Sequence, residues 1–243
     1  MEEYLDSMGE ALVMDFAYLD RNVSEIREKI EAAKARAGRE DDVLLVSAVK
    51  SADVEEINYI HDKLGINDVG ENRVQQLLSR YDALHKEGLN IHFIGSLQSN
   101  KVKYIIDKVK MIHSLDSLSL AREIDRQAKK HGIVMDVLVE INIGEEENKG
   151  GVLPSDVEAF CDALDEFSGI RLRGFMTMAP KCEKNDEYNK YFSQTYKIVL
   201  DIWTKKRHNI DRPIISMGMS ESFEEAVACG SNLVRVGRSM FVK

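Results

Sequence analysis

The sequence predicts an α/β protein, a single (β/α)8 (TIM) barrel preceded by an additional N-terminal helix. Eight apolar runs of strand length alternate with segments of helical period, the pattern of repeated βα units around a parallel sheet. The chain has 243 residues, a length at which such barrels commonly form one domain. No Pro-, Gly- or Ser-rich segment divides it, so we expect residues 1–243 to form one domain. An open doubly wound sheet is the alternative architecture.

The opening segment predicts the additional helix. Its apolar residues recur at helical spacing: Val23, Ile26, Ile30, Ala33 and Ala37. We expect this helix to end at Gly38, because glycine adopts the left-handed conformation of a helix C-terminus at the lowest cost.

The eight predicted strands are short apolar runs. They cover residues 43–49, 67–69, 91–94, 111–115, 134–141, 170–176, 213–217 and 233–236. Amphipathic segments between them repeatedly end at glycine. Helix starts are marked by Asp53 with Glu56, which predict a capping box, and by Pro154. In such a barrel the functional residues lie at the carboxyl ends of the strands.

Composition and charge exclude several classes of function. The net charge of −9 argues against nucleic acid as a partner, because phosphate backbones need a basic surface. The three cysteines lack the close spacing of a disulfide framework or a zinc site. The acidic amino terminus is unlike a signal peptide, and no apolar stretch approaches the ~20 residues of a membrane span. We therefore expect a cytoplasmic protein without a nucleic-acid or membrane partner. We also expect a monomer, although none of these observations bears on the oligomeric state.

Lys50 is the first candidate for chemistry. It ends the apolar run 44–50, and strand alternation places it on the inward face with Val46 and Ala48. Burial disfavours an ammonium ion, and the neutral amine is the form that attacks a carbonyl carbon to make a Schiff base. The alternative is a lysine at a strand end that reaches solvent.

Polar side chains also mark the next three strands. Asn72 follows strand two, His92 lies in strand three and Asp116 follows strand four. These positions are compatible with a site at the barrel mouth. Each residue also has a structural alternative, because Asn72 or Asp116 would cap a helix and His92 would be a hydrogen-bonded core histidine.

Two segments with glycine and serine end the last two strands. Residues 216–222 have the sequence Ser-Met-Gly-Met-Ser-Glu-Ser, and residues 235–239 have the sequence Arg-Val-Gly-Arg-Ser. Loops after strands seven and eight of such barrels commonly bind a phosphate with backbone amides and hydroxyls. Because closure would place strand eight beside strand one, we expect both loops to face Lys50.

Arg235 should point into the barrel, because it shares a strand face with Leu233 and Gly237. A buried arginine needs a partner. One interpretation is an ion pair with a buried acid. The other is a hydrogen bond to the ring nitrogen of a cofactor, which a permanently protonated arginine would leave unprotonated.

These motifs resemble one family, the pyridoxal phosphate (PLP) homeostasis proteins, also described as the YggS or proline synthase co-transcribed family. The resemblance covers most of the chain and rests on residues 46–50, 70–72, 92–101, 174–178, 216–220 and 235–237. It implies an alanine racemase N-terminal-domain-like barrel, the barrel half of the fold-type III PLP enzymes. The chain stops shortly after strand eight, so we expect no carboxyl-terminal β domain.

The resemblance also implies roles for individual residues. Lys50 would carry PLP as a Schiff base, and Arg235 would face the pyridine nitrogen. The phosphate would be held by Ser220, Gly237 and the backbone amide of Arg238. The ring would be lined by Asn72, His92, Met176 and Ser216. The family often has a small hydroxyl residue where this chain has Arg238, so Ser239 or the Arg238 guanidinium would replace that contact.

The implied function is PLP homeostasis. The chain would carry or buffer PLP, with PLP-dependent apoenzymes as its partners and no catalytic cycle. Racemases of this type also use a tyrosine from their second domain, and none of the eight tyrosines here has a recognisable equivalent position. The alternatives are a slow racemase with Lys50 as its single base and a Schiff-base aldolase. Lys101 and Lys149 are further candidates, for a PLP transfer site.

Overall fold

The computed structural model describes residues 15–206 and 212–243. Within them, eight parallel strands close into a barrel in chain order, with the last strand paired to the first. The strands are β1 (Leu44–Ala48), β2 (Asp68–Glu71), β3 (Asn90–Phe93), β4 (Met111–Leu115), β5 (Met135–Ile141), β6 (Ile170–Thr177), β7 (Ile214–Ser216) and β8 (Leu233–Val236). The predicted (β/α)8 barrel is confirmed, and the open sheet is wrong.

Helices cover the outside of the barrel. They are α1 (Ala17–Arg36), α2 (Val54–Asp62), α3 (Val74–Arg80), α4 (Leu118–Lys130), α5 (Val157–Leu164), α6 (Asn185–Lys206) and α7 (Phe223–Ala228). The connection between β3 and β4 instead carries a 3₁₀ segment, Ser99–Tyr104. No helix in the described ranges is long and apolar enough to cross a membrane.

The additional helix α1 is present and ends in a Schellman motif. Gly38 has a φ of 62°, and the N–H groups of Gly38 and Arg39 donate to the carbonyls of Ala35 and Lys34 at 3.1 and 3.0 Å. The prediction that Ala37 belongs to the apolar face is wrong. It is exposed, because the helix ends one residue earlier.

The predicted capping box at the start of α2 is confirmed. Asp53 Oδ1 accepts from the Glu56 N–H at 2.8 Å, and Glu56 Oε2 accepts from the Asp53 N–H at 2.9 Å. Glu56 also accepts a hydrogen bond from the Tyr18 hydroxyl of α1. This contact joins the additional helix to the first βα unit.

The main apolar core lies between the strands and the surrounding helices, and it includes Ile57, Leu77, Phe93, Ile112 and Phe175. The interior of the barrel has a different composition. It holds a small apolar cluster, Met111, Leu138 and Met176, together with buried polar side chains of β3, β4, β7 and β8. Buried polar groups need hydrogen-bond partners, so these side chains are candidates for a functional role.

Candidate functional site

Two adjoining cavities open where the strands end at their carboxyl termini. The wider one has a volume of about 1130 Å³ and the narrower one about 150 Å³. Both are lined by Lys50, Asn72, Ile94 and Met178. The narrower cavity is also lined by four residues predicted for the site, Ser220, Arg235, Gly237 and Arg238. The structure therefore brings residues from β1, β2 and the last two loops to one place.

Lys50 lies at the rim of both cavities. β1 ends at Ala48, and the Lys50 side chain beyond it is exposed. The expectation of a buried Lys50 side chain is wrong, because strand alternation ends with Ala48, which lines the narrower cavity as Lys50 does. Among the described residues, the Lys50 ammonium group has no hydrogen-bond or ion-pair partner. It is therefore free to bind a ligand.

The backbone on either side of Lys50 is fixed by Arg80 of α3. The guanidinium donates to the carbonyl of Val49 at 3.0 Å and to that of Ala52 at 2.9 Å. It is held in turn by a buried hydrogen bond of 2.7 Å from Nε to Glu71 Oε1. Burial raises the pKa of Glu71, and the charge of Arg80 opposes that shift. This cluster positions the loop that carries the lysine.

Arg235 points into the barrel from β8 and is only 4% exposed. Its Nη1 donates to the carbonyl and to Oγ of Ser216 at 2.8 and 2.6 Å, and Nη2 donates to the Thr177 carbonyl at 3.0 Å. Burial lowers the pKa of Arg235 to about 10, and the charge of Glu140 opposes this shift. The guanidinium thus stays protonated at neutral pH. No carboxylate in the described residues lies within ion-pair distance, so the ion-pair interpretation is wrong.

A line of hydrogen bonds continues from Ser216 through the barrel interior. Ser216 Oγ lies 3.3 Å from His113 Nδ1, and His113 Nε2 lies 2.8 Å from His92 Nδ1. His92 Nε2 lies 2.9 Å from Asp68 Oδ1. Burial, with the charges of His92 and Arg235, lowers the pKa of His113 well below its usual range, so His113 is neutral. The alternative of a hydrogen-bonded core histidine is confirmed for His92.

The loops after β7 and β8 meet at Ser220. Its Oγ accepts hydrogen bonds from the backbone N–H groups of Gly237 and Ser239, both at 3.3 Å. A Cβ on Gly237 would lie 2.5 Å from the Ala48 carbonyl oxygen, so only glycine allows this approach. Two N–H groups that converge on one oxygen form a small anion-binding cradle.

Arg238 and Ser239 follow Gly237 in this loop. The Arg238 guanidinium pairs with Glu221 at the surface, and the amide that converges with that of Gly237 belongs to Ser239. Ser239 Oγ is buried without a hydrogen-bond partner in the described residues, and so is Asn72 Oδ1. Unpaired buried polar atoms in and beside a cavity are available to a polar ligand.

Glu140 is the residue that sequence reasoning missed, although an acid near the carboxyl end of the apolar run of β5 was a visible signal. It lines the wider cavity together with Asp116. Leu115 pairs with Val139 across β4 and β5, so the next residue of each strand lies at the same level. Burial and the charge of Asp116 raise the pKa of Glu140 to about 7, and the charge of Arg235 opposes them.

The helix-cap alternatives for Asn72 and Asp116 are wrong. The N-cap of α4 is Ser117, whose Oγ accepts from the Leu120 N–H at 3.4 Å. The N-cap of α3 is Arg73, without a side-chain cap bond. Both side chains are therefore available to the cavities they line.

Comparison with known proteins agrees with this geometry. Residues 21–243 match the family described as alanine racemase, N-terminal domain. Over 220 residues the chain is 40% identical to a pyridoxal phosphate homeostasis protein from Aquifex aeolicus, with 90% of this chain and 95% of that protein covered. The chain belongs to the pyridoxal phosphate homeostasis protein family.

Two solved structures extend this result. A protein of unknown function from Bifidobacterium adolescentis superimposes with a TM-score of 0.87 at 33% identity, over 94% of this chain and 98% of that one. PipY of Synechococcus elongatus PCC7942, solved with PLP bound, gives a TM-score of 0.74 at 27% identity, over 88% of this chain and 100% of that one.

The residues predicted for the site lie partly at the two cavities and partly in the barrel interior. Lys50, Asn72, Ser220, Arg235, Gly237 and Arg238 line one or both cavities, as predicted. Four other predicted site residues are not among the lining residues described: His92, Met176, Ser216 and Ser239. Ser216 and Ser239 contact lining residues directly, through Arg235 and Ser220. Met176 packs in the interior apolar cluster.

Proposed function

We propose that this chain binds PLP at the barrel mouth and acts in PLP homeostasis as a carrier or buffer of the cofactor. The observation that carries the proposal is the arrangement around the narrower cavity. It places the amide cradle at Ser220, the Arg235 guanidinium and the Lys50 amine beside one space. The name of the Aquifex aeolicus relative, a pyridoxal phosphate homeostasis protein, and the PLP bound to PipY support the same ligand.

The residues present fit this cofactor. PLP supplies an electrophilic aldehyde and an electron-withdrawing pyridine ring. The amides of Gly237 and Ser239 would bind its phosphate in exchange for the Ser220 hydroxyl to which they donate in this structure. The protonated Arg235 would donate to the ring nitrogen and leave it unprotonated. The amine of Lys50 would hold the aldehyde carbon covalently.

We further propose that the chain has no catalytic cycle of its own. An arginine at the ring nitrogen leaves the ring a weaker electron sink than a carboxylate does. Delivery to PLP-dependent apoenzymes, a monomeric state and a cytoplasmic location complete the proposal.

The test is the visible absorption spectrum of the purified protein, followed by borohydride reduction and mass spectrometry of its peptides. We expect a PLP band and, after reduction, the cofactor fixed on Lys50. Lys50→Ala should lose that fixation, whereas Lys63→Ala at the end of α2 should keep it. A protein that cannot be reconstituted with PLP would refute the proposal. A PLP band without fixation on Lys50 would refute only the role of this lysine.

The enzyme alternatives are tested with the same protein. Tyr188 lines the narrower cavity and Glu140 the wider one, so two protonatable side chains other than Lys50 lie at the site. The PLP-loaded protein is incubated with L-alanine in deuterated water, and exchange of the α-proton is followed by NMR. We expect no exchange above that of free PLP. Exchange that depends on Lys50 would identify the chain as a racemase-like enzyme.

A further inference from the structure

Glu140 is a buried carboxyl group that has no partner. Its side chain is 7% exposed, and it has no hydrogen bond or ion pair among the described residues. It nevertheless lines the wider cavity, so its remaining exposed surface faces that space. A buried charge is normally paired, because a charged group that leaves water without a partner loses its solvation and gains nothing in return.

A second carboxyl group lies beside it. Asp116 follows β4 at the same level as Glu140 of β5, because the preceding residues of the two strands are paired. Both side chains line the wider cavity. Burial raises the pKa of both groups, against the charge of Arg235 for Glu140 and against the hydrogen bond to Ser117 for Asp116. Two like charges at one wall are relieved by a positive ligand between them.

We propose that Glu140 and Asp116 form a binding site for the primary ammonium group of an alkylamine or of a lysine side chain. An ammonium group has three donors and no acceptor, which matches two carboxylates that can only accept. The wider cavity, about 1130 Å³, has room for the carbon chain of such a ligand.

The charged groups around the cavity favour an ammonium ion over a metal ion. In the part of the chain that the structure describes, no group of three or more His, Cys, Asp and Glu side chains could hold a metal. Lys50 and Arg73 line the same cavity, yet neither forms an ion pair with these two acids. Arg235 is engaged by neutral acceptors and forms no ion pair with either acid. The two carboxylates therefore stay available.

The inference goes beyond PLP binding and does not depend on it. A ligand amine held by these carboxylates would share the cavity with Lys50, the residue proposed to hold the cofactor. The site is tested on the cofactor-free protein, so failure of PLP binding and failure of amine binding are separate results.

The experiment is a ¹³C NMR titration of cofactor-free protein labelled at the Glu side-chain carboxyl carbons. Glu140→Gln identifies the Glu140 signal. The probes are n-propylamine and the amide of Nα-acetyl-lysine, with n-propanol as the neutral control. We expect both amines to shift the Glu140 signal saturably and n-propanol to leave it unchanged. A lower dissociation constant for the lysine derivative would assign the site to protein side chains, and a lower one for propylamine would assign it to free amines.

Two variants distinguish amine binding at Glu140 from amine binding to negative charge elsewhere on the surface. Glu140→Gln should weaken propylamine binding by at least about tenfold, since a charge-assisted bond is lost. Glu147→Gln, in the exposed loop after β5, should bind as the wild type does. Equal binding by Glu140→Gln and wild type, or an equal response to n-propanol, would overturn the proposal.

The wild-type protein gives a second readout of the same site. An ammonium ion stabilises the ionised form of Glu140, so saturating propylamine should lower the titration midpoint of this residue from about 7. Amine affinity should therefore rise with pH through neutrality. The charged groups around Glu140 are the same in both titrations: Asp116, Lys50, Arg73 and Arg235. An unchanged midpoint at saturating amine would contradict the proposal.

Discussion

Glu140 opposes folding at neutral pH, because its carboxyl group ionises more readily in the unfolded chain than in the barrel. Its pKa is raised from 4.5 to about 7, first by burial and then by the charge of Asp116. A raised pKa means that the native state holds a proton which the unfolded state has lost. The contribution of the protonated Glu140 to the free energy of unfolding is complete below pH 4.5 and is lost as the pH rises through about 7.

We therefore expect Glu140→Gln to gain stability relative to the wild type as the pH rises from 4.5 to about 7. The full shift corresponds to about 3 kcal/mol in the free energy of unfolding. The measurement is denaturant unfolding of both proteins at several pH values, with Glu147→Gln as the exposed control. A constant difference between wild type and Glu140→Gln across this range would show that Glu140 ionises normally.

Single-residue positions could be predicted from sequence where strand alternation alone decides them. Arg235 lies where the alternation of β8 places it. Lys50 does not, because β1 ends at Ala48 and alternation stops with the strand. The pairing of Asp116 with Glu140 depends on the register of β4 against β5. A single sequence contains the strands but not their register, so this part of the site required the structure.

At the scale of elements, the Glu71–Arg80 ion pair joins β2, α3 and the loop after β1. Both side chains are buried, and Arg80 also satisfies two carbonyl groups beside Lys50. Removal of one partner would leave the other charge buried and unpaired. The packing of β2, α3 and the loop after β1 at the barrel mouth therefore depends on this ion pair as well as on apolar contacts.

We expect Arg80→Met to lower the free energy of unfolding by about 3–5 kcal/mol, the usual cost of breaking a buried pair from one side. Arg126→Met, which removes an exposed ion pair with Glu123 on α4, should have a much smaller effect. Denaturant unfolding of the three proteins measures both values. Similar losses for the two variants would mean that the buried pair has no special structural role.

The elements themselves were well predicted, because hydrophobic period is a local signal. All eight strands lie within two residues of the predicted ranges, and the capping box of α2 forms as expected. The exceptions have local causes. The segment after β3 forms 3₁₀ turns instead of an α-helix, and Ala37 falls beyond the last turn of α1. Helix ends depend on competing backbone hydrogen bonds that apolar spacing does not record.

At the scale of the whole molecule, closure of the barrel allows one line of hydrogen bonds to cross its interior from β8 to β2. β8 pairs with β1 and places Arg235 level with Val46. From Arg235 the line of bonds runs through Ser216, His113 and His92 to Asp68, the first residue of β2. Five residues from five strands take part, so the line exists only in the closed barrel. It begins at a cation and ends at an anion.

The two end groups predict the direction of every bond in this line. Arg235 can only donate, and it donates to Ser216 Oγ, which leaves the hydroxyl proton for His113 Nδ1. A neutral His113 then carries its proton on Nε2 and donates to His92 Nδ1. His92 carries its proton on Nε2, toward the carboxylate of Asp68, which can only accept.

We therefore expect ¹⁵N NMR to show an unprotonated Nδ1 and a protonated Nε2 on both His92 and His113 at neutral pH. Since the pKa of His113 is well below its usual range, its signals should stay unchanged down to pH 6. His85, exposed beside Asp62, provides the internal reference for a histidine at the surface. A doubly protonated His92 would reverse the argument, because its Nδ1 would then donate to His113 and Ser216 would receive hydrogen bonds from both sides. In that case the Ser216 proton would point away from His113, and Arg235 would be fixed chiefly by its bonds to the carbonyls of Ser216 and Thr177.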